Sequence, residues 1–128
     1  MSRSYEESRI QQAIVAHYRK TYAGKIVHVP NGGKRGHLES IRFKDEGVEA
    51  GHPDLIIYNA GRVYLMEVKA PGGTYSDRQK AFIRELRNDG FDVAGVESLE
   101  EARHAFEAWG LAPKVTRARS AIEIATGF

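Results

Sequence analysis

Glu67 and Lys69 stand two residues apart near the end of the run Val63-Tyr64-Leu65-Met66-Glu67-Val68-Lys69. In an extended strand that spacing puts both on one face, in line with Val63 and Leu65. Asp54 opens the preceding β-rich run, just after Gly51-His52-Pro53, and Asn59-Ala60-Gly61 between the two runs reads as a tight turn. The two runs therefore form an antiparallel hairpin. If Tyr58 faces Arg62 across the turn, Asp54 faces Met66; a shift of one residue brings it opposite Glu67. In either register the two acids are cross-strand neighbours, with Cβ atoms about 5–8 Å apart. Two carboxylates that close repel, and a divalent cation is the natural compensation. A set of hard oxygens suits Mg²⁺ or Mn²⁺, with water in the remaining positions. Such an ion binds a phosphodiester oxygen, offsets the charge added in the transition state and lowers the pKa of a bound water. Lys69, beside it, is placed to orient that water or to stabilise charge on the phosphate.

A Glu-x-Lys triplet alone carries little information, since charged residues make up about a quarter of ordinary chains. The conjunction carries more: Pro53-Asp54 at the start of one strand, Glu67-Val68-Lys69 at the end of its partner, and a glycine on each flank at Gly51 and Gly72.

The elements that must hold these groups follow from periodicity. Ile10, Ala13, Ile14 and Tyr18 recur at helical spacing over 4–21, and Ile26 and Val27 mark a short strand ended by Pro30-Asn31-Gly32-Gly33. A weak helical pattern covers 38–46. After Pro71-Gly72-Gly73 a helix is expected over 76–88, with Phe82, Ile83 and Leu86 as its apolar line and Gly90 as its stop. A strand follows over 91–96, then a helix capped by Ser98, with Glu101 completing a capping box. The order gives a mixed α/β domain of about four strands flanked by helices (αβ-ββ-αβ-α) over 1–110, with a tail of unassigned role over 111–128.

Length and composition agree with one domain: 128 residues, 41% apolar and 28% charged. No cysteine is present, and the five histidines lack zinc-site spacing, so any metal must be held by oxygen. No apolar run approaches the roughly 18 residues of a membrane span, and the polar start lacks a secretory signal, so a soluble protein of the cytoplasm is expected. The net charge is only +2, but basic residues gather at Lys34 and Arg35, at Arg42 and Lys44, and along 76–88 as Arg78, Lys80, Arg84 and Arg87. Local charge of this kind is what a phosphate-binding surface requires.

Taken in order, these residues resemble the VRR-NUC domains of the PD-(D/E)xK nuclease superfamily, including the stand-alone phage type. The match runs through Glu7 with Gln11, Val29-Pro30-Asn31-Gly32-Gly33-Lys34-Arg35, Gly51-His52-Pro53-Asp54-Leu55, Glu67-Val68-Lys69, Pro71-Gly72-Gly73 and Ser76-Asp77-Arg78-Gln79. The resemblance implies a restriction-endonuclease-like core and cleavage of DNA to leave a 5′-phosphate, in the host cytoplasm if the gene is a phage's. It implies Asp54, Glu67 and the Val68 carbonyl as metal ligands, Lys69 as the residue serving the attacking water, Glu7 as an acid reaching the metal through water, and Gln79 as a further catalytic residue. The departures lie mainly after Glu107, where Leu111 to Phe128 matches nothing.

Local structure competes for several of these residues. Ser76-x-x-Gln79 is also a capping box, and both roles are compatible. Glu7 competes with Glu6 for the inward position and is preferred because it leads the Ile10, Ile14 and Tyr18 stripe. Asn31-Gly32-Gly33-Lys34-Arg35 lets backbone approach phosphate closely while Lys34 and Arg35 supply charge, which marks it as a DNA-binding candidate; a flexible turn is the competing reading. His52, beside Pro53-Asp54, is expected to be structural or exposed, and Ala102, Phe106 and Trp109 to be core. A domain this small gains selectivity for branched DNA most simply by pairing two copies across a symmetric substrate, so a homodimer on Holliday junctions is expected. A binding module without catalysis, or RNA as substrate, are the alternatives.

Overall fold

The computed structural model describes residues 3–30 and 37–115, so the glycine-rich candidate at 31–35 and most of the tail lie outside the described residues. Eight elements appear in the expected order: α1 (Arg3–Thr21), β1 (Lys25–His28), α2 (His37–Asp45), β2 (Leu55–Asn59), β3 (Arg62–Val68), α3 (Asp77–Asn88), β4 (Asp92–Val96) and α4 (Leu99–Trp109). The strands form one sheet in the order β1-β2-β3-β4, antiparallel across the first two pairs and parallel between β3 and β4. Parallel pairing needs a crossover, and α3 provides it.

β3 lies between two partners and is covered on both faces, which is why its run is almost continuously apolar. Tyr64, Met66 and Val68 point toward α1 and α4, joining Ile14, Tyr18, Ile26, Leu55, Ile57 and Phe106 in the larger core. Phe106 is fully buried and meets Tyr18 and Tyr22 edge-on at 5.5 and 5.4 Å. Each such aromatic pair contributes about 0.5–1.5 kcal/mol beyond its burial. Trp109 stacks on Tyr64 at 4.9 Å, so the aromatic residues of α4 are core, as expected. On the opposite face Leu65 packs with Val93 and with Ile83 of α3. By alternation Glu67 projects to this second face, so α3 is the helix that meets the site.

The hairpin differs from expectation at its turn. Only Ala60 and Gly61 form the loop, with φ of 52° and 79°, and Asn59 is the last residue of β2, paired with Arg62. Positive φ at both loop positions is the two-residue turn whose twist suits a hairpin. Asn59 is kept in the strand by burial: its amide nitrogen donates to the carbonyls of Ala23 and Ala112, and its oxygen accepts from the Ala112 N–H at 2.9 Å. These bonds fasten the start of the C-terminal segment. Leu111 is buried, Ala23 N–H donates to the Ala112 carbonyl, and Lys114 N–H donates to that of Thr21.

α4 begins at Ser98, whose hydroxyl accepts from the Glu101 N–H. The expected second half of the capping box is altered: the Glu101 carboxylate accepts from the N–H of Glu97, one residue before the cap.

Candidate active site

Register decides how the two acids meet. Leu55 pairs with Met66, so Asp54, one residue earlier, lies opposite Glu67. Their side chains and backbones interlock. The Asp54 N–H donates to Glu67 Oε1 at 3.2 Å, and the Val68 N–H donates to Asp54 Oδ2 at 2.9 Å. Gly51, with φ of 91°, lets the loop before Asp54 lie against the α3 backbone; a side chain there would strike the Arg78 carbonyl and the Gln79 nitrogen.

Glu67 is 2% exposed, and with Asn59 it is one of two buried polar residues of the described chain. Burial pushes its carboxyl up to about 8, helped by the neighbouring Asp54 charge and by a hydrogen bond to Asp54, while Lys69 acts in the opposite direction. In the absence of a cation, a proton is thus the partner that lets the two acids coexist.

Lys69 and Gln79 complete the cluster. Lys69 Nζ donates to Gln79 Oε1 at 3.0 Å and lies 3.6 Å from Glu67 Oε2. Gln79 Nε2 donates to Glu67 Oε2 at 2.6 Å. The same glutamine also forms the expected capping box, its Oε1 accepting from the Ser76 N–H at 2.9 Å while Ser76 Oγ accepts from the Gln79 N–H at 3.1 Å. Gln79 thus caps α3 and reaches the Glu67 carboxylate and the Lys69 ammonium at the same time.

Glu7, rather than Glu6, reaches the end of β3, its Oε1 accepting from the Ala70 N–H at 3.4 Å. Glu6 lines a separate groove with Arg9, Pro71 and Leu99. His52 packs its ring edge-on against Phe82 at 5.2 Å, in keeping with a structural role. Tyr75 went unnoticed in the sequence: Lys69 Nζ sits 5.3 Å from its ring centroid, a cation–π contact that helps hold the ammonium. Its place between Gly73 and the Ser76 cap was the only available signal.

The carboxylate oxygens gathered here are those of Asp54, Glu67 and, at the margin, Glu7. Among the described residues no three His, Cys, Asp or Glu side chains converge as a ready-made metal cluster. Two carboxylates with water and backbone oxygen nonetheless fit Mg²⁺, which commonly retains several waters and takes only one or two carboxylates.

A mixed sheet with an acid opening one strand, an acid and a lysine closing the next, and a helix-borne glutamine beside them defines an α/β domain of the nuclease fold. The family model of the VRR-NUC domain matches residues 5–99, and the chain belongs to that family. A solved structure described as a VRR_NUC domain protein is 26% identical, superimposes with a TM-score of 0.67 and is matched over 84% of this chain and 90% of its own. A second, described as a VRR_NUC domain, shares the fold at 20% identity and a TM-score of 0.62, over 81% of this chain and 97% of its own. A comparison with curated proteins finds no match. Among the described residues no helix is long and apolar enough to cross a membrane.

Proposed function

We propose that the protein is a divalent-metal-dependent DNA endonuclease that hydrolyses phosphodiester bonds in branched DNA, resolving Holliday junctions as a homodimer. The observation that carries this reading is the buried Glu67 carboxylate held against Asp54, with the Lys69 ammonium 3.6 Å away. Structure does not require such a cluster. An acid buried against a second acid costs stability, and residues arranged this way are typical of sites where chemistry is done.

Asp54, Glu67 and the Val68 carbonyl would hold Mg²⁺ or Mn²⁺, which when bound supplies positive charge to the phosphate and acidifies a water. The remaining work belongs to this chain's own groups. Lys69, tethered by Gln79 and lying over Tyr75, presents a proton donor at a fixed position, where it orients the attacking water or meets charge on a phosphate oxygen. Gln79 bridges the Glu67 carboxylate and the Lys69 ammonium through the two ends of its amide. Glu7, at the end of β3, is positioned to hold a water at the margin of the site. Asn31, Gly32, Gly33, Lys34 and Arg35 would meet DNA phosphates.

The test is incubation with four-way, flap, splayed and linear DNA, with and without Mg²⁺ or Mn²⁺. Metal-dependent cutting, greatest on four-way DNA and from a dimer in solution, is the expected result. Asp54→Ala and Glu67→Ala should abolish cutting, whereas Lys69→Ala should lower turnover about 10²–10⁴-fold with DNA binding retained. Variants that cut as fast as wild type would refute the site. DNA binding without cutting or metal dependence would identify a binding module instead, and faster cleavage of matched RNA would reassign the substrate.

A further inference from the structure

Beyond Gln79, α3 carries a second cluster. Lys80, Arg84 and Arg87 line a groove of about 590 Å³ with Tyr75, Ile83 and Gly95, and no carboxylate is in the lining. All three basic residues are exposed, and among the described residues none of them takes part in a salt bridge. This sets them apart from Arg42, which pairs with Glu46 just past the end of α2, and from Arg103, which pairs with Glu100 within α4.

We infer that this groove is a DNA-contact site that holds the sugar–phosphate backbone of one strand as it leaves the reactive centre; the inference rests on the nuclease reading for its orientation. Three observations converge on it. The groove starts at the site, because Lys80 directly follows Gln79 and because Tyr75, which forms one wall, is the ring over which Lys69 sits. Its floor is apolar and shaped: Tyr75 lies against Gly95, where any side chain would collide with the tyrosine hydroxyl, and Ile83 continues the surface. Its charges are spaced for a polyanion. Seven residues of helix from Lys80 to Arg87 span about 10 Å, the length of about three nucleotides at roughly 3.4 Å each. Arg87 is held in place by donation from Nη2 to the Val93 carbonyl at 2.7 Å, while Lys80 and Arg84 have their full donor sets available to phosphate.

The experiment compares wild type with Lys80→Gln/Arg84→Gln, leaving Arg87 intact because of its bond to Val93. Binding of fluorescent four-way and linear DNA is titrated in EDTA at several salt concentrations between about 50 and 200 mM. The double variant should bind at least about tenfold more weakly at the lower salt, and its log K against log salt line should be shallower by about 1–2. With metal present, its cleavage should fall through KM. A control pair on the opposite face of the sheet, Lys20→Gln/Arg103→Gln, removes equal charge and should shift neither affinity nor slope. Unchanged affinity and slope in the groove variant, or an equal loss in the control, would overturn the inference. A wild type that cuts no DNA but shows the groove-specific loss of slope would sink the nuclease reading and leave the groove standing as a DNA site. A wild type that cuts while the groove variant binds normally would remove the groove alone.

Discussion

Raising the pH of the metal-free protein is expected to weaken it, and Glu67 sets both the window and the sign. In the unfolded chain this carboxyl titrates near its ordinary 4.5, whereas in the fold burial and Asp54 raise it to about 8. Between those values the native state holds a proton that the unfolded state has lost. Stability then falls as pH rises, by about 1.4 kcal/mol per pH unit and by at most about 5 kcal/mol over the full window. The contribution is complete below the unfolded value and gone above the folded one. Glu67→Gln removes the titration: the amide oxygen still accepts from Gln79 Nε2, and the bond its NH₂ forfeits from the Asp54 N–H is a loss that does not change with pH, so the pH slope isolates the proton. Urea denaturation in EDTA from about pH 5 to 9, followed by the fluorescence of the single tryptophan, Trp109 on Tyr64, reads the difference. The variant should overtake wild type as pH rises, with the other titrating groups cancelling between the two. Added Mg²⁺ should stabilise wild type more at high pH than at low, since the cation competes with that proton, and should leave the variant much less affected. A wild-type-minus-variant difference that stays flat across the range would refute the claim that Glu67 is held protonated by its surroundings.

Gln79→Glu keeps the capping box but replaces the donor to Glu67 with a third carboxylate, so turnover should drop at least about tenfold; equal turnover would reduce Gln79 to a cap. Asn59→Ala strips the Ala112 N–H of its partner and should cost about 2–3 kcal/mol in urea denaturation. A loss below about 0.5 kcal/mol would show that water replaces the side chain at no cost. Ala60→Asn relieves a non-glycine residue at φ 52°, and a gain of about 0.5–1 kcal/mol in the same assay is expected. A loss would mean that the turn tolerates alanine for a reason outside its backbone.

Much of the site was legible because its determinants are local. The Glu67-x-Lys69 spacing fixes a shared strand face whatever the tertiary structure, and Ser76-x-x-Gln79 fixes a helix start. What stayed hidden depends on contacts between distant segments. The groove along α3 exists only because Tyr75 folds back onto Gly95, and Leu111 belongs to the core only because α4 returns the chain to α1. Neither fact has a periodicity that a sequence can display. Glu101 shows the same limit at small scale, its carboxylate choosing the N–H before the cap over the cap's own.

The hairpin register joins these two kinds of determinant. Local preference assigns Asn59 to the turn, since asparagine tolerates positive φ far better than alanine does. A turn that included Asn59 would pair Tyr58 with Arg62 and set Asp54 opposite Met66. The fold instead places Ala60 at positive φ and draws Asn59 into the strand, where Ala23 and Ala112 satisfy its amide. Net hydrogen bonds of about 1 kcal/mol each outweigh the roughly 1 kcal/mol of turn strain. Moving the pairing by that single residue brings Asp54 across from Glu67, because a one-residue shift exchanges the faces of a whole strand. The pairing of the two acids is therefore secured at the far end of the hairpin, by an amide that touches neither of them. Disturbing Asn59 should loosen the site as well as the fold, and its variants should lose Mg²⁺-dependent stabilisation out of proportion to their loss of overall stability.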